Sequence, residues 1–253
     1  MPTLKSLVKT LIPASTRAGL RQRLLKSLIG YDFESPTFSS AGEDAIINYL
    51  FGFTNSGFFV DVGAWHPSKA SNTYLFSLKG WSGINIDACP GSMKAFAEAR
   101  PRDVNLEVAI SDKAEKLTYY SHTVGNSSMN TFDEGFMAQL GLQKDLANET
   151  EIDAYPLSEV FKEHLPPDQQ IDFLTIDVEG MELKVLSSND WSKYRPKLVM
   201  LESFATLSED LLHSNVVKLL EHHDYRVIIK TTNELAFLDN KYRLSIVGQI
   251  ELD

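Results

Sequence analysis

Four carboxylates, Asp61, Asp87, Asp177 and Glu202, each close an apolar segment of strand character: "GFFVDVGA", "SGINIDA", "IDFLTIDV" and "KLVMLES". Acids so placed can accept the hydroxyls of a ribose, take a proton from an alcohol, or hold a hard cation. Asp177 and Glu179 flank a single residue in "TIDVEG", so a strand that stays regular through Val178 puts both carboxylates on one side. Such a pair suits proton abstraction; the competing use of Glu179 is as the acid that begins the helix "GMELKVL", where the helix dipole favours it. His66, with an ordinary imidazole pKa of ~6.5, is a further candidate base, and a solvated loop histidine is the plain alternative. Asp177 and Glu202 are oxygen ligands of the kind Mg²⁺ takes. The sequence shows no complete ligand set, and Glu202 is equally suited to pairing with Arg195 or Lys197.

These acids meet only if the elements carrying them do. From about residue 40, helix-like and strand-like segments alternate: "GEDAIINYLFGF" before "GFFVDVGA", "SKASNTYLFSLKG" before "SGINIDA", "PGSMKAFAEARP" before "VNLEVAIS" and "KLTYYS". After a loop-rich segment at about 121–150 the alternation resumes, ending in strands near 225–251 with no helix between them. Alternation of this kind implies parallel pairing with right-handed crossovers, hence an α/β, doubly wound, mostly parallel Rossmann-like sheet with an antiparallel C-terminal edge. Ligands of such sheets bind beyond the carboxyl ends of the strands, so the four acids should share one rim. Together there they repel unless hydroxyls, a cationic group or a metal sits among them.

With 253 residues and 43 % apolar composition, the chain reads as one core domain at 38–253, preceded by a helical arm at 1–37. Residues 1–30 hold six bases and no acid, which leaves 18 bases against 34 acids for the rest. The overall charge of −10 argues against a nucleic-acid partner. In the arm, Leu4, Leu7, Val8, Leu11 and Ile12 recur at helical spacing, and a second apolar set follows Pro13. No apolar run approaches the ~18 residues of a membrane span. The arm is therefore expected either to pack on the domain or a second copy of it, or to rest as a basic amphipathic helix on an anionic membrane surface. A single cysteine, Cys89, forbids an internal disulfide and suits a reducing, cytoplasmic setting.

The loop after the first strand narrows the ligand. A dinucleotide fingerprint needs glycines that let backbone approach a pyrophosphate, whereas this loop has Gly63 followed by Trp65 and Pro67. A nucleotide without phosphates fits better. S-adenosylmethionine asks for an acid at its ribose and polar groups at its amino-acid tail, and Asp87 stands where a ribose-binding acid belongs. The competing use of Asp87 is as an N-cap before "PGSMKAF". A nicotinamide-dependent oxidoreductase would want the missing glycines, and a non-catalytic scaffold protein would not need the rim acids. A nucleobase methyltransferase would be expected to carry an Asn/Asp-Pro-Pro-aromatic loop where "DVEG" stands.

"FVDVGAWHPSKASNTYLFSLKGWSGINIDACP", "EARP", "NLEVAISD", "NSSMN" and "IDFLTIDVEGMELKVLSSNDW…KLVMLES" resemble, in this order, the FkbM-like S-adenosylmethionine-dependent methyltransferases over about residues 38–204. The S-N-T followed by G-W-x-G and the I-D-x-E-G block are the most specific parts. The resemblance implies a Rossmann-like methyltransferase sheet, S-adenosylmethionine as methyl donor, and O-methylation of a small-molecule or glycan acceptor, such as a sugar or secondary metabolite. It places Asp61 and Gly63 in the first cofactor loop, Asn72 and Thr73 near the methionine tail, Asp87 on the ribose, Ser111 and Asp112 beside the adenine, and Asp177 at the reactive methyl. Two motifs depart from the family pattern: Ser39-Ser40 stands for Ser-Gln, and Asp87-Ala88 for Glu-Pro. The segment 121–143, which contains His122, is polar with flexible apolar groups and resembles the family's acceptor-reading segment.

Overall fold

The computed structural model describes residues 36–122, 130–132, 146–203, 211 and 213–243. The basic arm lies outside them but for residues 36 and 37, and so do the membrane-surface and self-association expectations attached to it. Most of the polar segment 121–143 lies outside as well, including the side chain of His122. Among the described residues no helix is long and apolar enough to cross a membrane.

Along the chain the elements are α1 (Glu43–Leu50), β1 (Phe58–Val62), α2 (Tyr74–Lys79), β2 (Ser82–Ile86), α3 (Met93–Ala99), β3 (Val104–Leu106), β4 (Ala109–Ile110) and β5 (Glu115–His122). There follow β6 (Leu146–Tyr155), α4 (Leu157–His164), β7 (Phe173–Ile176), α5 (Glu182–Ser187), β8 (Leu198–Glu202), α6 (Asn215–His222), β9 (Tyr225–Lys230) and β10 (Glu234–Asp239). Seven strands form one sheet in the order β3-β2-β1-β7-β8-β10-β9. Pairs from β3 through β8 are parallel, and β10 runs antiparallel to both its neighbours. The sheet is thus the expected one, with a refinement: the C-terminal edge is a hairpin, and its inner strand β10 is the reversed one.

β1 and β7 are buried along their whole length, which is why their sequences are continuous apolar runs rather than alternating ones. Side chains of period two split between the two faces. Val60, Val62, Ile84, Ile86, Leu174 and Ile176 meet Phe161 of α4, Val185 and Leu186 of α5, and Val217 and Leu220 of α6. Phe59, Phe173, Leu198 and Met200 face the other way, against Ile47 and Leu50 of α1, Phe76 of α2, and Trp81. Helices therefore cover both faces of the sheet. α6 starts where Ser214, extended, accepts the Val217 N–H at 3.4 Å and caps it.

A second sheet, β4-β6-β5, was not legible in the sequence. "VNLEVAIS" breaks at Glu107-Val108, so that β3 joins the large sheet and β4 the small one. β6 is polar and largely exposed, with Glu149, Thr150, Glu151 and Asp153 on the surface. It is held by its pairing with β5 rather than by burial, and so it lacks an apolar signal.

Candidate functional site

Strand order reverses between β1 and β7, and a cleft opens there beyond the carboxyl ends of the strands. Val62 and Gly63 line it after β1, Ile86, Asp87 and Ala88 after β2, and Asp177, Val178 and Glu179 after β7. Val108 to Ile110, Tyr119, Asn130 and Phe132 form a wall carried by the small sheet, and Trp65 and Met181 complete the lining. Trp65 and Glu179 have φ of 46° and 50°. This left-handed region costs a residue with a side chain about 1 kcal/mol or more, and such strain gathers where a backbone is shaped for a ligand.

Asp87 ties two loops together at the cleft. One carboxylate oxygen accepts the Trp65 N–H at 2.9 Å and the other the Cys89 N–H at 2.8 Å. Burial raises its pKa, and these donors oppose the rise. Each oxygen retains lone-pair capacity for a further donor. The N-cap reading is displaced: α3 begins at Met93 and Ser92 is its N-cap residue, so Asp87 serves the loops instead.

Gly63 has a structural reason to be glycine. Its φ is +85°, and an added Cβ would stand 1.7 Å from the Asp177 carbonyl oxygen. The close approach locks β1 to β7 at the floor of the cleft. Gly63→Ala is therefore expected to destabilise the chain by roughly 2–4 kcal/mol, from overpacking and left-handed strain together. A thermal melt checks this: a drop of about 5–15 °C is expected, and an unchanged melting temperature would show that the floor yields freely.

Beneath the cleft lies a polar network that includes several residues expected in it. Asp61 falls within β1, buried, where its carboxylate accepts the Thr73 hydroxyl at 2.6 Å. Arg100, 2 % exposed, reaches Thr73 Oγ1 at 2.7 Å, Asn85 Oδ1 at 3.0 Å, Ser71 Oγ at 2.8 Å and the Pro67 carbonyl at 2.8 Å. Burial lifts the Asp61 carboxyl to about 6, against the lowering effects of Thr73 and of the Arg100 charge. Asn72 donates to Thr175 Oγ1 at 3.1 Å.

Asp61, Asn72 and Thr73 are not among the residues lining the cleft: Arg100 holds Thr73, whose hydroxyl donates to Asp61, and Asn72 is turned to Thr175. Ser111 and Asp112 also stand outside the lining, because the Ser111 hydroxyl turns to Glu115 at 2.8 Å and to Asp112 at 3.2 Å. Their neighbours Val108 to Ile110 line the cleft instead. His66 is a poor base: its Nδ1 accepts the N–H groups of Ser68 at 3.0 Å and Lys69 at 3.1 Å, leaving the neutral ring's proton on Nε2. Burial, then the charges of Lys69 and Arg100, lowers its pKa, and the ring does not line the cleft.

Of the four acids expected on one rim, Asp177 and Glu202 meet, joined by Glu179, while Asp87 stands apart in the cleft and Asp61 beneath it. β7 ends at Ile176, and a left-handed turn at Glu179, rather than a continuing strand, returns its carboxylate toward Asp177. Asp177, Glu179 and Glu202 each bring an oxygen within 4.8 Å of the others. The helix-starting role falls to Glu182, whose carboxylate accepts the Val178 and Gly180 N–H groups at 3.4 and 3.2 Å. Glu202 does not pair with Arg195 or Lys197, which hold Asp239 at 3.0 Å and Asp172 at 2.6 Å. Burial pushes Glu179 up to about 8, with added repulsion from Asp177 and Glu182. Burial and neighbouring acids also raise Asp177 and Glu202, and a hydrogen bond between the two carboxyls opposes the rise at Asp177.

Residues that sequence reasoning missed are Arg100, Tyr119, Phe132, Met181 and Glu234. "EARP" carried Arg100 without a role, and nothing local marks an arginine as buried. The rings of Tyr119 and Phe132 meet at 5.0 Å between centroids, tilted by 53°, and Tyr119 belongs to the small sheet.

Residues 61–227 match the family model described as the methyltransferase FkbM domain. Comparison with curated proteins gives no match. Among solved structures, a precorrin-6Y C5,15-methyltransferase from Geobacter metallireducens GS-15 is similar at 13 % identity and a TM-score of 0.42, over 81 % of this chain and 93 % of that one. An O-methyltransferase from Bacillus cereus in complex with SAH is similar at 10 % identity and a TM-score of 0.42, over 92 % of this chain and 96 % of that one.

Proposed function

Because this chain belongs to the FkbM methyltransferase domain family, we propose that it transfers the methyl group of S-adenosylmethionine to a hydroxyl of a sugar-containing or secondary-metabolite acceptor. The observation that carries this reading is the pairing, in one cleft, of the loop-tied Asp87 with the acids after β7. The donor set suits the cofactor. Asp87 would take the ribose hydroxyls on the lone pairs its backbone partners leave free, and Ile86, Val108, Ala109, Ile110 and Met181 would give the adenine an apolar wall. Bound there, the cofactor supplies an electrophilic methyl group on a sulfonium.

The remaining work falls to the chain. An alcohol is a poor nucleophile, and transfer is an in-line displacement, so the protein must place the acceptor oxygen and remove its proton. Asp177 and Glu179 are the carboxylates of the cleft that can receive that proton. The sequence Asp-Val-Glu-Gly after β7, in place of an Asn/Asp-Pro-Pro-aromatic loop, supports a hydroxyl acceptor over a nucleobase. Gly63 packs against Asp177 rather than opening a glycine-lined cradle, which disfavours a pyrophosphate and hence a nicotinamide dinucleotide.

Calorimetric titration of the purified chain with S-adenosylmethionine, and in parallel with NADH, tests this. Saturable binding of the former alone is expected, followed by methyl transfer to hydroxylated acceptors. Binding of neither to folded protein would favour the scaffold reading, and binding of NADH alone the oxidoreductase.

A further inference from the structure

We propose that Asp177, Glu179 and Glu202, with Glu234 beside them, form a site for a divalent, oxygen-preferring cation, Mg²⁺ or Mn²⁺. The spacing is the first argument. Opposite ligands of one such ion, bonded at ~2.1–2.4 Å, stand ~4.2–4.8 Å apart. The three carboxylates each present an oxygen within 4.8 Å of the other two. They come from two adjacent strand ends and one left-handed turn, so the backbone holds them together rather than a flexible surface.

The second argument is an unsatisfied group. Glu234 opens β10 directly across from Glu202 in the antiparallel register, and its side chain is buried, at 6 % exposure. Its Oε2 has no hydrogen-bond partner among the described residues. Buried polar atoms are rarely left unpaired, and a carboxyl oxygen in this state is open to a cation. Directly opposed residues of an antiparallel pair send their side chains to one face of the sheet, so the Glu234 carboxyl lies on the same side as that of Glu202. The nearby cation, Lys230, turns its Nζ to the carbonyls of Ser203, Thr231 and Thr232 at 2.7, 2.8 and 3.3 Å. Among the described residues, no lysine or arginine forms an ion pair with Asp177, Glu179 or Glu202.

Ligand chemistry selects the ion. Carboxylates without cysteine or histidine favour hard cations over zinc or copper. Mg²⁺ and Mn²⁺ take six oxygens, so three or four carboxylate ligands leave positions toward the cleft for water or an acceptor oxygen. An alcohol held there loses its proton more readily, and a carboxylate that binds the ion through one oxygen keeps the other to receive it. Binding itself stands on the cluster's geometry and goes beyond the methyl-donor reading.

The test is titration of the full chain with Mn²⁺, followed by the paramagnetic signal of the free ion, and with Mg²⁺ by calorimetry. One ion per chain is expected, with affinity lowered at least about tenfold in Glu202→Gln and in Glu179→Gln. Glu179 sits on a partly exposed turn, so its variant keeps the test open if Glu202→Gln fails to fold. Glu98→Gln, at an exposed acid outside the cluster, should bind as the parent does. Absence of saturable binding at millimolar ion, in protein with a cooperative melt, overturns the site; so does unchanged affinity in the Glu179 variant. S-adenosylmethionine titrated into the same samples separates the two readings: cofactor uptake without ion uptake sinks only this one, and ion uptake without cofactor uptake sinks only the other.

Discussion

Arg100→Ala will unfold or severely weaken the domain although the residue touches no part of the cleft. Four hydrogen bonds to Pro67, Thr73, Asn85 and Ser71 would be lost, and the rings of Phe59, Tyr74 and Phe96, 5.4–6.0 Å from the guanidinium, would face a void. Asp61 would remain buried with its nearest positive charge removed. Removing one partner of a buried charged network costs about 3–5 kcal/mol. For a chain of this size that is on the order of 10 °C in melting temperature, or more. Arg100→Lys should rescue little, since an ammonium is a point charge and cannot spread its donors over four acceptors. Arg102→Ala is the control: its side chain lies at the surface, makes one bond to the Ser77 carbonyl at 3.0 Å, and should cost less than about 1 kcal/mol. Equal melting temperatures for the Arg100 and Arg102 variants would refute the network's structural weight.

The second large effect is on ligand binding. Asp87→Ala should lower affinity for S-adenosylmethionine by about 3 kcal/mol, more than a hundredfold, because two hydrogen bonds to a charged acceptor are lost at once. The variant also releases the Trp65 and Cys89 N–H groups, each of which then seeks water at a cost of about 1–3 kcal/mol if it stays buried. Binding and stability are therefore to be measured together, by calorimetry and thermal melting. Asp87→Asn separates them, since its amide oxygen still accepts one loop N–H while the negative charge at the ribose is gone. Unchanged cofactor affinity in folded Asp87→Ala protein would remove Asp87 from the site.

Much of this was legible along the chain because it is local or periodic. The apolar runs ending in Asp87, Asp177 and Glu202 fix strand identity and direction, and the alternation with helices fixes parallel pairing. Those facts alone send the three acids to one rim. The resemblance carried by S-N-T, G-W-x-G and I-D-x-E-G pointed to the family, and the match over 61–227 shows it.

What the sequence left undecided depends on contacts between distant residues. Asp61 sits one residue before the end of β1, and whether it lines the cleft or lies under it depends on Arg100, 39 positions away, reaching back through Thr73. Glu179 approaches Asp177 through a left-handed turn that no periodicity foretells. β6 is polar and exposed, and it exists because β5 pairs with it; only then does the wall of Tyr119 and Val108 to Ile110 close the cleft. The sequence by itself determined which residues reach the rim, since strand direction and period two are properties of the chain. Tertiary structure decided which of them face the cleft, because burial, charge balance and the packing of Gly63 on Asp177 exist only when separate strands meet.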